Sequence, residues 1–163
     1  PLAADNAGQM IELSRVNGNV GRGVAWSPDG TTLAVASLNE VAGGVWLYTV
    51  GQLNTPPTLL DTGVAVTALA YSADGAFLVL GGLDGSVTLW DLAAGDALFT
   101  FPAHGTAVES VTISPDGRLV VTAAIDNTVR FWGIPGATGA TGAESAEGAE
   151  GDAGAEGDAS AQG

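Results

Sequence analysis

One four-residue string occurs three times in this 163-residue chain. Ser27-Pro28-Asp29-Gly30 returns as Ser72-Ala73-Asp74-Gly75 and as Ser114-Pro115-Asp116-Gly117, at spacings of 45 and 42 residues. Self-similarity at such a period means one supersecondary unit used repeatedly, and so an array of like parts. Each copy follows an alternating apolar run: residues 24–26, 66–71 and 108–113. Each precedes another, at residues 33–36, 77–80 and 119–121. A third run closes each unit: Val45-Trp46-Leu47-Tyr48, Val87-Thr88-Leu89-Trp90 and Val129-Arg130-Phe131-Trp132. Alternation rich in β-branched and aromatic residues marks strands, three per unit. The string itself is a hairpin turn: Pro pre-sets φ, Asp tolerates the next position, and Gly supplies the positive-φ residue. Asp84-Gly85 and Asp126-Asn127 turn the second hairpin in units two and three, and unit one is longer there, over residues 39–44.

Unit three carries His104, Val108, Val111, Ser114-Pro115-Asp116-Gly117, Thr122, Asp126, Thr128, Val129, Arg130, Phe131 and Trp132, and unit two ends in Trp90-Asp91. In these residues the chain resembles the WD40 family over residues 9–133. Unit one is more degenerate, with Tyr48-Thr49 in the Trp-Asp place. The resemblance implies an all-β fold of WD40-type β-propeller blades, three per chain, each blade four-stranded. It also implies a buried hydrogen-bonded network within a blade, which unit three supplies in full as His104, Thr122, Asp126 and Trp132. Unit two has Thr62 near the His position and Leu80 at the Thr position, so its network is incomplete.

Three units are fewer than the four to eight blades that usually close a propeller, and an open arc leaves raw strand edges. Residues 95–101 read as a fourth strand ahead of unit three, and residues 57–60 and 10–16 play that part ahead of units two and one. After Trp132 no such strand follows. The expected organisation is therefore an N-terminal outer strand (1–17), three blades (18–132) and a separate tail (133–163). The outer strand, with Met10, Ile11, Leu13 and Val16, is expected to complete unit three of a neighbouring chain by strand exchange. The partner is then a further copy, in a homo-oligomer such as a trimer or a head-to-tail polymer. The alternative is a fragment of a longer propeller.

The tail has its own period. Gly133, Gly136, Gly139, Gly142, Gly148, Gly151, Gly154, Gly157 and Gly163 share one three-residue phase, and no glycine of the segment falls off it. This resembles the collagen-like Gly-X-Y repeat, in which only Gly fits the axis of three wound chains. Against a stable triple helix stand a single proline, Pro135, and six acidic residues with no cationic partner. An acidic, disordered, low-complexity linker is a second reading, and a glycine-rich bundle of extended left-handed chains is a third.

Charge removes several function classes. The chain has 18 acidic residues against 4 arginines and no lysine, a formal net charge of −14. Nothing could neutralise a row of phosphates, so no nucleic-acid partner is expected. No apolar run reaches the ~18 residues that span a bilayer, so no membrane insertion is expected. With no cysteine, disulfides and thiolate metal sites are excluded. No HExxH, P-loop, Gly-x-Ser-x-Gly or EF-hand pattern occurs, and His104, the only histidine, fits a blade network better than catalysis. Asp91 and Asp96 flank a turn and hint only faintly at Ca²⁺, and no cofactor or metal is expected. For Trp26 and Trp46 core packing is the default expectation, and facing a partner is the alternative. Together these features point to a non-enzymatic structural protein: propeller blades with a collagen-like stalk, self-assembling in an extracellular filament or surface layer. A start at Pro1 without Met fits processing of an exported prokaryotic protein. The alternative function is a protein-binding scaffold that holds a partner on the propeller face, with the tail as linker.

Overall fold

The computed structural model describes residues 12, 22–38, 43–52 and 55–133. The strand expected at Met10, Ile11, Leu13 and Val16, and the glycines from Gly136 onward, lie outside the described residues. Within them the protein forms eleven β-strands and no helix. The first sheet runs β1 (Val24–Trp26), β2 (Thr32–Ser37), β3 (Gly44–Thr49), β4 (Thr58–Asp61). The second runs β5 (Val66–Tyr71), β6 (Phe77–Gly82), β7 (Ser86–Asp91), β8 (Asp96–Pro102). The third holds β9 (Val108–Ile113), β10 (Leu119–Ala124) and β11 (Val129–Gly133). Every pairing is antiparallel between strands consecutive in sequence. Each sheet is thus one meander, or blade, and each sequence unit supplies its first three strands. The run ahead of the next unit supplies the fourth, one residue later than the sequence suggests: β4 pairs with β3 and β8 with β7. Among the described residues the third blade stops at β11. Gly133, read from sequence as the first glycine of the tail, ends β11 opposite Leu119.

The repeated turns have one chemistry. Ser27 Oγ donates to Asp29 Oδ1 (2.6 Å) and accepts the Thr32 N–H (2.9 Å). Ser72 with Asp74 and Phe77 (2.6 and 3.0 Å), and Ser114 with Asp116 and Leu119 (2.6 and 2.9 Å), repeat it. The glycine that follows takes φ of 71°, 73° and 70° in the three copies, the left-handed region in which a Cβ is unfavourable. Asn127 occupies the same region, with φ 61°, in the second hairpin of the third blade.

Alternation along the strands gives every blade two apolar faces. The trailing face of the first blade (Ala34, Ala36, Val45, Leu47) meets the leading face of the second (Leu69, Leu78, Leu80, Trp90) in one cluster. The trailing face of the second (Val79, Val87, Leu89) meets the leading face of the third (Val111, Val120, Trp132) in another. Side chains alternating within β6 therefore divide between two cores, and the second blade is buried on both sides. Leu78, Val45, Val87 and Val108 are fully buried or nearly so; burying such side chains contributes roughly 1.5–3 kcal/mol each. Arg22 Nη1 lies 3.0 Å from both carboxylate oxygens of Glu109, linking the approach to β1 with β9 across the second blade. The core packing expected of Trp26 is not found. It ends β1 on a face that no described blade covers, and it is 58% exposed.

Candidate functional site

His104, Thr122, Asp126 and Trp132 come together in the third blade. His104 sits in the loop between β8 and β9, where its backbone N–H and that of Ala103 donate to Gly85 O (3.0 and 3.1 Å). The turn of the second blade thus positions the histidine of the third. His104 Nδ1 lies 3.0 Å from Asp126 Oδ2, and Nε2 lies 2.7 Å from Thr122 Oγ1. A carboxylate only accepts, which assigns the ring proton to Nδ1. Nε2 then accepts from the Thr122 hydroxyl, and Thr122 accepts the Trp132 Nε1–H at 2.9 Å. Every donor in the chain from Trp132 to Asp126 has an acceptor.

Two further residues belong to this network. The Thr128 hydroxyl donates to Asp126 Oδ1 (2.7 Å) and lies 3.2 Å from His104 Nδ1. Arg130 donates to Ala103 O (2.6 Å) and places Nη2 3.6 Å from Asp126 Oδ2. The repeat pattern contained both residues, but nothing in their spacing marked them as members of the network. The Thr128 hydroxyl first, and then His104, hold the Asp126 carboxyl down to about 2. Asp29, Asp74 and Asp116 also lie below the ordinary carboxylate value of 3.8, chiefly through the Ser hydroxyl of each turn.

Thr, His and Asp in this order have the connectivity of a nucleophile triad. The environment denies them that chemistry. Thr122 is 0% exposed, and its oxygen is occupied by the Trp132 N–H. No substrate carbonyl can approach, so the network orients loops and rigidifies the blade. In the second blade Leu80 stands where Thr122 stands in the third, and the buried Trp90 Nε1 has no partner among the described residues. Asp91, weighed from sequence as a cation ligand, caps the following turn instead, accepting from Ala93 N and Ala94 N (2.8 and 2.9 Å).

A candidate binding surface adjoins the same blade. Between the second and third blades opens an apolar cleft of about 440 Å³. Leu89, Phe99 and Phe101 line one side, and Ile113, Val120 and Trp132 the other. Phe101 packs edge-on to Trp132 with ring centroids 4.8 Å apart, and stacks on Phe99 at 5.6 Å. Phe99 itself is 63% exposed. Beside the cleft runs β11, which among the described strands pairs only with β10, so its other edge is unused.

The family model described as "WD domain, G-beta repeat" matches residues 57–91 and 95–133. Both matched stretches begin at the outer strand of one blade and end at the Trp-bearing strand of the next. The relatives that align include these two. The WD repeat-containing protein 91 homolog of Dictyostelium discoideum is 26% identical over 96 residues, 58% of this chain. Telomerase protein component 1 of Mus musculus is 32% identical over 80 residues, 49% of this chain. The chain spans only 12% and 3% of the lengths of these two proteins. The repeated turns, the buried network and the matched stretches agree: residues 57–91 and 95–133 are WD40 repeats.

Proposed function

We propose that this chain is a non-catalytic interaction module that assembles with further copies of itself by strand completion. One observation carries the reading. Among the described residues the third blade has three strands where the first two have four, and its β11 edge, unused by any described strand, lies beside an apolar, aromatic-lined cleft. An extended apolar segment laid along β11 gains main-chain hydrogen bonds and covers Phe99. Residues 10–16 of a neighbouring chain, with Met10, Ile11, Leu13 and Val16 as the apolar positions, are the proposed donor. WD40 repeats generally serve protein interaction, which supports the broader reading. The Gly-X-Y tail supports an extended stalk and a place in an extracellular or surface assembly.

Deleting residues 1–16 tests this. Light scattering of the full chain is expected to show particles larger than one chain, and the truncated chain is expected to remain single. A truncated chain that assembles like the full one refutes strand completion.

A further inference from the structure

The two interfaces inside the chain use the same pair of positions. Leu47 of β3 and Tyr71 of β5 line a cleft between the first and second blades. Leu89 of β7 and Ile113 of β9 line the cleft between the second and third. In the repeat, Leu47, Leu89 and Phe131 stand at one position, the third residue of the closing run. Trp26, Tyr71 and Ile113 stand at another, just before the turn serine. Two of the three pairs are therefore made within the chain. The remaining halves lie at opposite ends of the stack: Phe131 on the trailing face of the third blade and Trp26 on the leading face of the first. Both are large, apolar and mostly exposed, at 62% and 58%. Beside Phe131, Val129 is exposed, although its counterparts Val45 and Val87 are buried. Beside Trp26, Val24 is exposed while its counterpart Leu69 is buried.

We infer that the trailing face of the third blade docks the leading face of the first blade of a second copy, with Phe131 of one chain against Trp26 of the next. The argument for this occupant is continuity: the joint repeats one already made twice within the chain, and one copy supplies each half. Such a joint is heterologous, because the two surfaces differ, so it propagates head to tail into a ring or an open polymer. The inference rests on the self-assembly proposed above and names its second contact, a sheet face rather than a strand edge.

The test uses the full chain with Trp26→Glu or with Phe131→Glu. Both side chains are mostly solvent-exposed, so each variant should keep the wild-type circular dichroism spectrum, while its melting temperature should fall only by the stabilisation that assembly gives the wild type. The wild type is expected to assemble, and each variant alone is expected to be a single chain by light scattering. An equimolar mixture of the two is expected to give particles of two chains, because it retains one sound joint, Trp26 of the Phe131→Glu chain against Phe131 of the Trp26→Glu chain. A single-chain wild type, either variant assembling like the wild type, or a mixture that stays single overturns the inference. Deletion of residues 1–16 separates the two contacts. If the truncated chain assembles and Phe131→Glu abolishes that assembly, the face joint stands and strand completion falls. If truncation abolishes assembly while both charged variants still assemble, strand completion stands and the face joint falls.

Discussion

Two tryptophans at equivalent repeat positions have opposite polar fates. Trp132 donates to Thr122, whereas Trp90 Nε1 is buried without an acceptor among the described residues, Leu80 standing in the threonine's place. A made hydrogen bond contributes about 1 kcal/mol net, while an orphaned buried donor costs roughly 1–3 kcal/mol. Trp132→Phe is therefore expected to cost about 2–4 kcal/mol more than Trp90→Phe. Urea unfolding of the two variants measures the difference, and equal costs would deny the network its role. Asp126 gives the second expectation at this scale. Its carboxyl lies at about 2, below the ordinary 3.8. A group whose folded value is depressed contributes stability above the unfolded value and loses it as pH falls through the folded one. The urea midpoint should fall between pH about 4 and about 2, with the three turn aspartates contributing in the same direction. Asp126→Asn should flatten that dependence, and an unchanged slope would show that the carboxylate is not its source.

Among elements, the turns decide most. Gly85 closes the hairpin between β6 and β7 with φ 85°, and an added Cβ would lie 2.3 Å from His104 O. Gly117 has φ 70°, but its Cβ position meets nothing within 4 Å. Gly117→Ala should cost about 1 kcal/mol, the penalty of left-handed backbone. Gly85→Ala should cost about 3 kcal/mol or more, through strain and displacement of the His104 loop. Thermal melts that rank the two alike would contradict the role given to Gly85. The strands and turns were legible in sequence because alternation and Ser-x-Asp-Gly chemistry are local. The outer strands β4 and β8 were legible too, displaced by one residue, because pairing with β3 and β7 rather than composition fixes their ends.

At the scale of the molecule, stacking explains both the core and the openings. The second blade is buried on two faces because it has neighbours on both sides. The first and third keep Val24, Trp26, Val129 and Phe131 exposed on their outer faces. Trp26 has core packing as its default expectation and a partner-facing role as the alternative. Its place at the end of the stack, which spacing along the chain does not encode, leaves it open.

The sequence by itself determined the repeat, the strand count of each unit and the turn glycines. These follow from residue type at fixed offsets, and backbone sterics and hydrogen-bond chemistry act over a few residues. The meeting of His104 with Thr122, Asp126 and Trp132, all 18 or more residues further along the chain, was legible only through the resemblance to the WD40 family. Only the tertiary structure decided that Thr128 and Arg130 join the network, that Gly85 holds the His104 loop, and that an apolar cleft opens beside β11. Those outcomes depend on how one blade lies on the next, and side chains distant in sequence meet or miss one another only once the sheets have stacked.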